Sequence, residues 1–352
     1  MTLSETIQAV TPPDKQAAEQ AQRRFDSIAK PLHGLGLLED AVCRIAGIQG
    51  TSRVQIDKRA LAVFCADNGV VAEGVTQTGS EVTALVAKNL CHGNTSVSNM
   101  ARVAHVDVFP VDMGMNAPVS EAGILDCAVA RGTGNIAKGP AMTGEQAVLA
   151  IEHGISLASH MAEKGYTILA TGEMGIGNTT TSSAVASVLL VRPADEMTGR
   201  GAGLDTPGLA RKIRTIEQAV RLNRPNAEDV LDVLAKLGGF DIAGMVGLFL
   251  GGAACRVPVV IDGFISSVAA LIAARLCPDA AGYMLASHVS GEPAGRVVLD
   301  ALGLSPVITA DMHLGEGTGA MALFPLLDMA LAVYENMSTF EDIHMEEYRP
   351  LD

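Results

Sequence analysis

Tryptophan is absent from the 352 residues, and aromatic residues make up only 3% of them. A core filled by large rings is thereby excluded. It must be assembled from Ala, Val, Leu and Met, with 37 glycines distributed along the chain. Small side chains let helices and strands approach closely and bring backbone groups near a ligand. A basic run is also missing. With 25 Lys and Arg against 39 Asp and Glu, the formal charge is −14. No general nucleic-acid surface is expected, because that requires clustered cations over phosphates. Any phosphate must be held locally.

No CxxC pair links any of Cys43, Cys65, Cys91, Cys127, Cys255 and Cys277, which argues against a zinc ribbon or a disulfide framework and for free, buried thiols. HExxH spacing is absent, and His153 and His160 read as two separate residues on a solvated helix. There is no GK[ST] loop and no GxGxxG turn, the latter weighing against an NAD-dependent dehydrogenase. The longest apolar run, Ile242 to Cys255, is short for a membrane span and interrupted by glycine and alanine, so it reads as a packed core helix. No signal-peptide pattern opens the chain, which leads to the expectation of a cytoplasmic protein without a membrane segment.

The 48% hydrophobic content suffices for a large core. An opening helix is expected from Thr11, with Pro12 and Pro13 in its first turn and Lys30-Pro31 at its end. Beyond it, short apolar runs alternate with helical stretches: Ala60 to Ala66, Val106 to Val111, Thr167 to Ala170, Val257 to Ile261, Tyr283 to Ala286 and Pro306 to Thr309. Continuous apolar runs separated by helices are what a parallel sheet covered on both faces requires. Thr143 with Gln146 has capping-box spacing, Thr206-Pro207 reads as an N-cap and N1, and Asn226 as the cap of a helix closed by Gly238-Gly239. The expected architecture is α/β, a doubly wound parallel sheet over residues 56–324, with 1–55 and 325–352 forming a small helical subdomain.

Ligands bind beyond the carboxyl ends of such strands. The residues following the six runs are Asp67, Asp112, Glu173, Asp262, His288 and Glu316. Singly, an Asp there more often caps the next helix; six together favour a site. The turn Thr171-Gly172-Glu173-Met174-Gly175-Ile176-Gly177-Asn178-Thr179-Thr180-Thr181 would offer N–H groups and hydroxyls to an anion at a helix N-terminus. A second turn, His313-Leu314-Gly315-Glu316-Gly317-Thr318-Gly319, sets one carboxylate among three glycines. These glycines either allow positive φ with Glu316 in water, or clear space for a substrate to reach it. Arg131-Gly132-Thr133-Gly134-Asn135-Ile136 supplies further backbone donors or a bend. No adjacent acidic pair of the kind that handles magnesium follows any strand, and neither metal nor cofactor is expected.

Together with Cys65-Ala66-Asp67-Asn68-Gly69-Val70, Lys236-Leu237-Gly238-Gly239-Phe240-Asp241 and Ile261-Asp262-Gly263-Phe264, these motifs resemble the nicotinate-nucleotide:dimethylbenzimidazole phosphoribosyltransferase (CobT) family along nearly the whole chain. The resemblance implies a Rossmann-like sheet and transfer of phosphoribose from nicotinate mononucleotide to a lower-ligand base during cobamide synthesis. It makes Glu316 the general base and puts Glu173 beside the reacting ribose or the base. Gly175, Gly177, Asn178, Thr179 and Thr180 are then expected at the nucleotide phosphate, with a backbone donor from Gly203 and a positive charge from Lys212. Asp262, Gly315 and Gly317 belong to the same substrate edge, and Thr78, Val86 and Leu314 to the acceptor side. The partners implied are nicotinate mononucleotide, an aromatic acceptor, and a second subunit in a homodimer or a heterodimer with a related chain.

Three departures from the family pattern fall mainly on the acceptor side: Leu32-His33-Gly34 replaces a Ser-containing stretch, Gly79 a common proline, and His313 the usual arginine. They keep a second reading open, in which a phenol or p-cresol is the acceptor in a complex of two related subunits, or this chain is its mainly structural member.

Overall fold

A computed structural model describes residues 1–117, 119 and 121–348; the end of the acidic C-terminal stretch lies outside these. Three helices come first, α1 (Leu3–Ala9), α2 (Lys15–Ser27) and α3 (Leu37–Gln49). Strand β1 (Arg59–Ala66) is followed by a 3-10 turn, α4 (Glu81–Cys91), α5 (Ser96–Ala104), β2 (Val106–Gly114) and the short β3 (Leu125–Asp126). Helix α6 (Gly144–Glu163) leads to β4 (Ile168–Met174), then to α7 (Asn178–Leu189), α8 (Ala194–Met197), α9 (Thr206–Asn223), α10 (Val230–Leu237) and α11 (Phe240–Ala254). The chain continues through β5 (Val259–Ile261), α12 (Phe264–Leu276), β6 (Met284–Ala286), α13 (Gly295–Ala301) and α14 (Thr318–Asn336).

The strands lie in the order β3-β2-β1-β4-β5-β6, and every pairing is parallel. This is the Rossmann-like doubly wound sheet. Its order reverses between β1 and β4, where connections leave towards opposite faces and open a crevice at the carboxyl edge. All eight residues of β1 are buried, which explains its unbroken apolar run. Successive side chains feed opposite cores: Ala60, Ala62 and Phe64 face the layer of α6 and α11, while Leu61, Val63 and Cys65 face α2, α3, α5 and α14. Helix α11 is buried from Phe240 to Ala253 and meets α6 at glycine. A Cβ on Gly247 would stand 1.9 Å from the Ile151 carbonyl oxygen, so only glycine permits this approach. Helix α14 is long and apolar enough to cross a membrane by length and composition, but 56% of its apolar window is buried, against α3 and α5.

Several local expectations need correction. The helix expected from Thr11 begins at Lys15, because the Asp14 carboxylate caps the Gln16 and Ala17 N–H groups; α1 precedes it. Asp205, not Thr206, is the N-cap of α9, and Asp229, not Asn226, that of α10. Pro306 to Thr309 forms no strand, and only a bridge between Ile308 and His288 continues the sheet there. The capping box of Thr143 and Gln146 is present, and the six cysteines are free, with Cys43, Cys65 and Cys277 buried but Cys91, Cys127 and Cys255 only partly so. Helix α1 packs on α6 and α11, whereas α2, α3 and α14 share the other sheet face; residue 325 is a proline inside α14.

Candidate active site

The two glycine turns singled out in the sequence lie against each other. At the end of β4, a Cβ on Gly172 would stand 2.4 Å from the Glu316 carbonyl oxygen, and one on Gly315 would stand 2.5 Å from Glu173 Oε1. A neighbouring backbone therefore demands glycine at 172, and a neighbouring carboxyl together with φ +89° demands it at 315. Between them Glu316 adopts φ +61°, a left-handed conformation that costs a side-chain-bearing residue about 1 kcal/mol or more. Asp262, just beyond β5, holds the strained turn. Its carboxylate accepts from the N–H groups of Gly317 (3.1 Å), Gly319 (2.7 Å) and Ala320 (3.2 Å), the first turn of α14. His288, beyond β6, packs on Gly319 beside this carboxylate; burial lowers the imidazole pKa while Asp262 opposes the shift.

The Glu316 carboxylate is half-buried and directed towards the start of α5, where Oε2 accepts from the Val97 N–H at 3.3 Å. Burial raises its pKa, the Val97 hydrogen bond opposes the rise, and Asp262 adds to it. Glu173 is buried, and its pKa lies well above the usual carboxylate range because of burial, with Asp241, Asp262 and Glu316 as acidic neighbours. Asn178 Nδ2 donates both to Glu173 Oε2 and, at 3.0 Å, to Asp241 Oδ2.

Helix α7 starts after Gly177 (φ +95°) with no side-chain cap; the Asn178 and Thr180 N–H groups donate to the Gly175 and Gly177 carbonyls, which leaves the Thr179 N–H of the first turn available to an anion. Behind Thr179 lies Lys212, fully buried, donating to Thr179 Oγ1 (2.8 Å) and to the Gly199 carbonyl (3.2 Å). Burial pushes the ammonium down to about 8, and Glu292 opposes the shift. A charge behind a hydroxyl at a helix N-terminus makes a local anion site in a chain of strongly negative net charge.

A cavity of about 350 Å³ connects these features. Its walls include Glu173, Gly175, Gly177, Asn178, Thr179, Asp262, Leu314, Gly315 and Glu316, with Thr78 and Val86 at the far side. Four of the expected residues are placed elsewhere. Thr180 is turned into the core, Gly317 lies against Leu61 and donates to Asp262, Gly203 accepts from Gln77, and Lys212 is one residue behind the wall. Of the six strand-end polar residues, Asp67 and Asp112 bind the backbone at the end of β2, accepting from the N–H groups of Asn116 and of Gly114 and Met115 respectively. The sequence reading missed Ser96, Arg200, Gly201, Ser290 and Glu292, all in the wall. Arg200 and Gly201 belong to a glycine segment next to Gly203; Ser96 had no signal, because α5 reaches the site only by tertiary packing.

The family model described as Phosphoribosyltransferase matches residues 10–344. The chain belongs to this phosphoribosyltransferase family. A protein of Acetivibrio thermocellus named nicotinate-nucleotide–dimethylbenzimidazole phosphoribosyltransferase is 47% identical over 348 residues, 99% of each chain. One of the same name from Ruminiclostridium cellulolyticum is 46% identical over the full length of both. Among solved structures, CobT from Thermus thermophilus superposes with a TM-score of 0.90 at 36% identity, covering 95% of this chain and all of that one. The sheet-edge cavity described above is thus the carboxyl edge of a phosphoribosyltransferase fold.

Proposed function

We propose that this protein transfers phosphoribose from nicotinate mononucleotide to a lower-ligand base, dimethylbenzimidazole or a similar azole, giving an α-riboside phosphate for cobamide synthesis. The full-length relatives carrying that name support the reading. The observation that carries it for this chain is the half-buried Glu316 carboxylate, facing a cavity with a second carboxyl and an anion site on its other walls. The nucleotide phosphate binds at the start of α7, with Lys212 behind it, and sets the ribose with C1′ between Glu173 and Glu316. The acceptor enters on the side of Thr78, Val86 and Leu314.

An acceptor nitrogen then forms its bond to C1′ from the face opposite nicotinate. The C1′–nicotinate bond breaks with its electron pair leaving on the pyridine nitrogen, and configuration inverts. Positive charge on the ribose is stabilised by the Glu173 carboxylate. Glu316 accepts the acceptor proton, which the upward shift of its pKa favours near neutral pH. Binding energy from the remote phosphate supplies orientation.

Purified protein incubated with nicotinate mononucleotide and dimethylbenzimidazole is expected to release nicotinate in step with riboside phosphate, both measured by HPLC. Glu316→Gln is expected to lower kcat by about 100-fold or more while nucleotide affinity is retained; undiminished turnover in that variant removes Glu316 as the base. The phenol-acceptor reading finds no support in the relatives described above. The same assay with p-cresol, with and without a second related chain, tests it together with the dimer expectation, which rests on the family resemblance.

A further inference from the structure

Behind Glu173, on the side away from the cavity, lies a carboxyl group that the transfer chemistry leaves unused. Asp241 is fully buried in the first turn of α11, where its Oδ1 accepts from the Ile242 N–H at 3.0 Å. Its Oδ2 accepts from Asn178 Nδ2 at 3.0 Å, and the same nitrogen donates to Glu173 Oε2. An amide nitrogen has two hydrogens, and both are committed. The orientation of Asn178 is thereby fixed, since a flip would set its carbonyl oxygen against two carboxyl groups. Two glycines make room for the arrangement: a Cβ on Gly175 would stand 2.6 Å from Asp241 Oδ2, and one on Gly239 2.3 Å from Asp241 Oδ1.

The surroundings are acidic on every side. Glu173 faces Asp241 on α11, Asp262 after β5 and Glu316 before α14; Asp241 faces Glu173 on β4, Asp67 after β1, and the Cys65 thiol on β1. Among the described residues, no cation pairs with either carboxyl group. Burial pushes Asp241 up to about 6 and Glu173 well above its ordinary range. Two buried carboxyls in contact with one amide, without a counter-ion, favour retention of a proton in the pair.

We propose that Asp241 is a positioning residue for the transfer reaction, acting through Asn178 to fix the Glu173 carboxyl with Oε2 held at the rear and Oε1 towards the reacting ribose. The Asn178 side chain is thereby a link between two carboxyls. Arrival of the cationic nicotinate group favours the anionic form of Glu173, whose proton leaves to solvent through the cavity that Glu173 lines. This inference rests on the phosphoribosyl-transfer reading of the cavity.

The experiment compares Asp241→Ala, which removes both charge and acceptor oxygen, with Asp241→Asn, which restores an oxygen to the Asn178 amide without the charge. Asp241→Ala is expected to lower kcat about ten-fold or more, through misplacement of Glu173, with KM for nicotinate mononucleotide within about two-fold of wild type. Asp241→Asn is expected to recover most of kcat, and the acid limb of its kcat profile moves to lower pH because Glu173 has lost an anionic neighbour. Undiminished kcat in Asp241→Ala, or an unmoved acid limb in Asp241→Asn, overturns the proposal. If Asp241→Ala fails to fold, Asp241→Asn decides alone. An infrared titration of the Glu173 carboxyl band, identified by its loss in Glu173→Gln, gives a readout independent of turnover. Its midpoint is expected to fall in Asp241→Asn, and an unmoved band overturns the link, whereas wild-type protein that releases no nicotinate overturns the functional reading instead.

Discussion

Replacing Lys212 by Met separates the stability of the ligand-free protein from its affinity for a phosphate. The ammonium is fully buried and has two neutral hydrogen-bond partners, Thr179 Oγ1 and the Gly199 carbonyl. Its pKa falls from the ordinary 10.5 to about 8 because burial disfavours the charge. At about 1.4 kcal/mol per pKa unit, carrying that charge at neutral pH costs the folded state on the order of 3 kcal/mol. Methionine has similar length and no charge; it removes this cost but forfeits two hydrogen bonds worth about 1 kcal/mol each, leaving the variant more stable by about 1 kcal/mol. The effect on the ligand has the opposite sign. Loss of a buried cation near a phosphate dianion is worth about 2 kcal/mol, or about 30-fold in Kd. Urea denaturation of the ligand-free protein, with calorimetric titration of nicotinate mononucleotide and of the riboside lacking phosphate, measures both terms. The riboside should bind wild type and variant alike. A variant destabilised by about 2 kcal/mol or more, or one that binds the mononucleotide undiminished, refutes the reasoning. The wild type also carries a pH signature: between pH 8 and 10.5 the unfolded chain holds the Lys212 proton more tightly than the folded one, so this group makes stability rise with pH across that window.

Other predictions follow from the same geometry. Gly315→Ala puts a Cβ against Glu173 Oε1 at a residue with φ +89°, so kcat should fall about ten-fold or more and stability by about 1 kcal/mol or more, measured by steady-state kinetics and thermal unfolding. Asp262→Ala removes the acceptor for three N–H groups of α14; it should cost about 2 kcal/mol or more and lower kcat more than nucleotide affinity, since the strained Glu316 turn loses its anchor. Wild-type kcat should decline on acidification with a midpoint above that of an ordinary Glu, because burial raises both Glu173 and Glu316, and solvent-exposed behaviour of that midpoint would remove the argument from burial.

The sheet was legible because β1 is buried on both faces, and a strand without a solvent side leaves an unbroken apolar run. The site edge was legible for a related reason: parallel strands deliver the residues at their carboxyl ends to one edge, and Glu173, Asp262 and His288 line the cavity there, joined by Glu316 from a turn that follows no strand. What sequence could not separate is a carboxylate that faces substrate from one that is taken up by backbone N–H groups. Asp67, Asp112 and Asp262 occupy equivalent strand-end positions, yet all three accept backbone N–H groups, and only Asp262 does so at the cavity wall. The distinction depends on which loops return to the edge. The turn before α14 crosses the end of β4, and the start of α5 supplies the N–H that holds Glu316. Both contacts join residues far apart in the chain. The same limit applies to Lys212, whose side chain lies behind the wall, and to Asn178, whose amide is turned to Glu173 and Asp241. Glycines in such turns carry more information than their backbone freedom suggests. Gly172 and Gly315 are required by a neighbouring backbone and a neighbouring carboxyl, so a glycine beside a strand-end acid marks the place where two loops close on each other and a site is assembled between them.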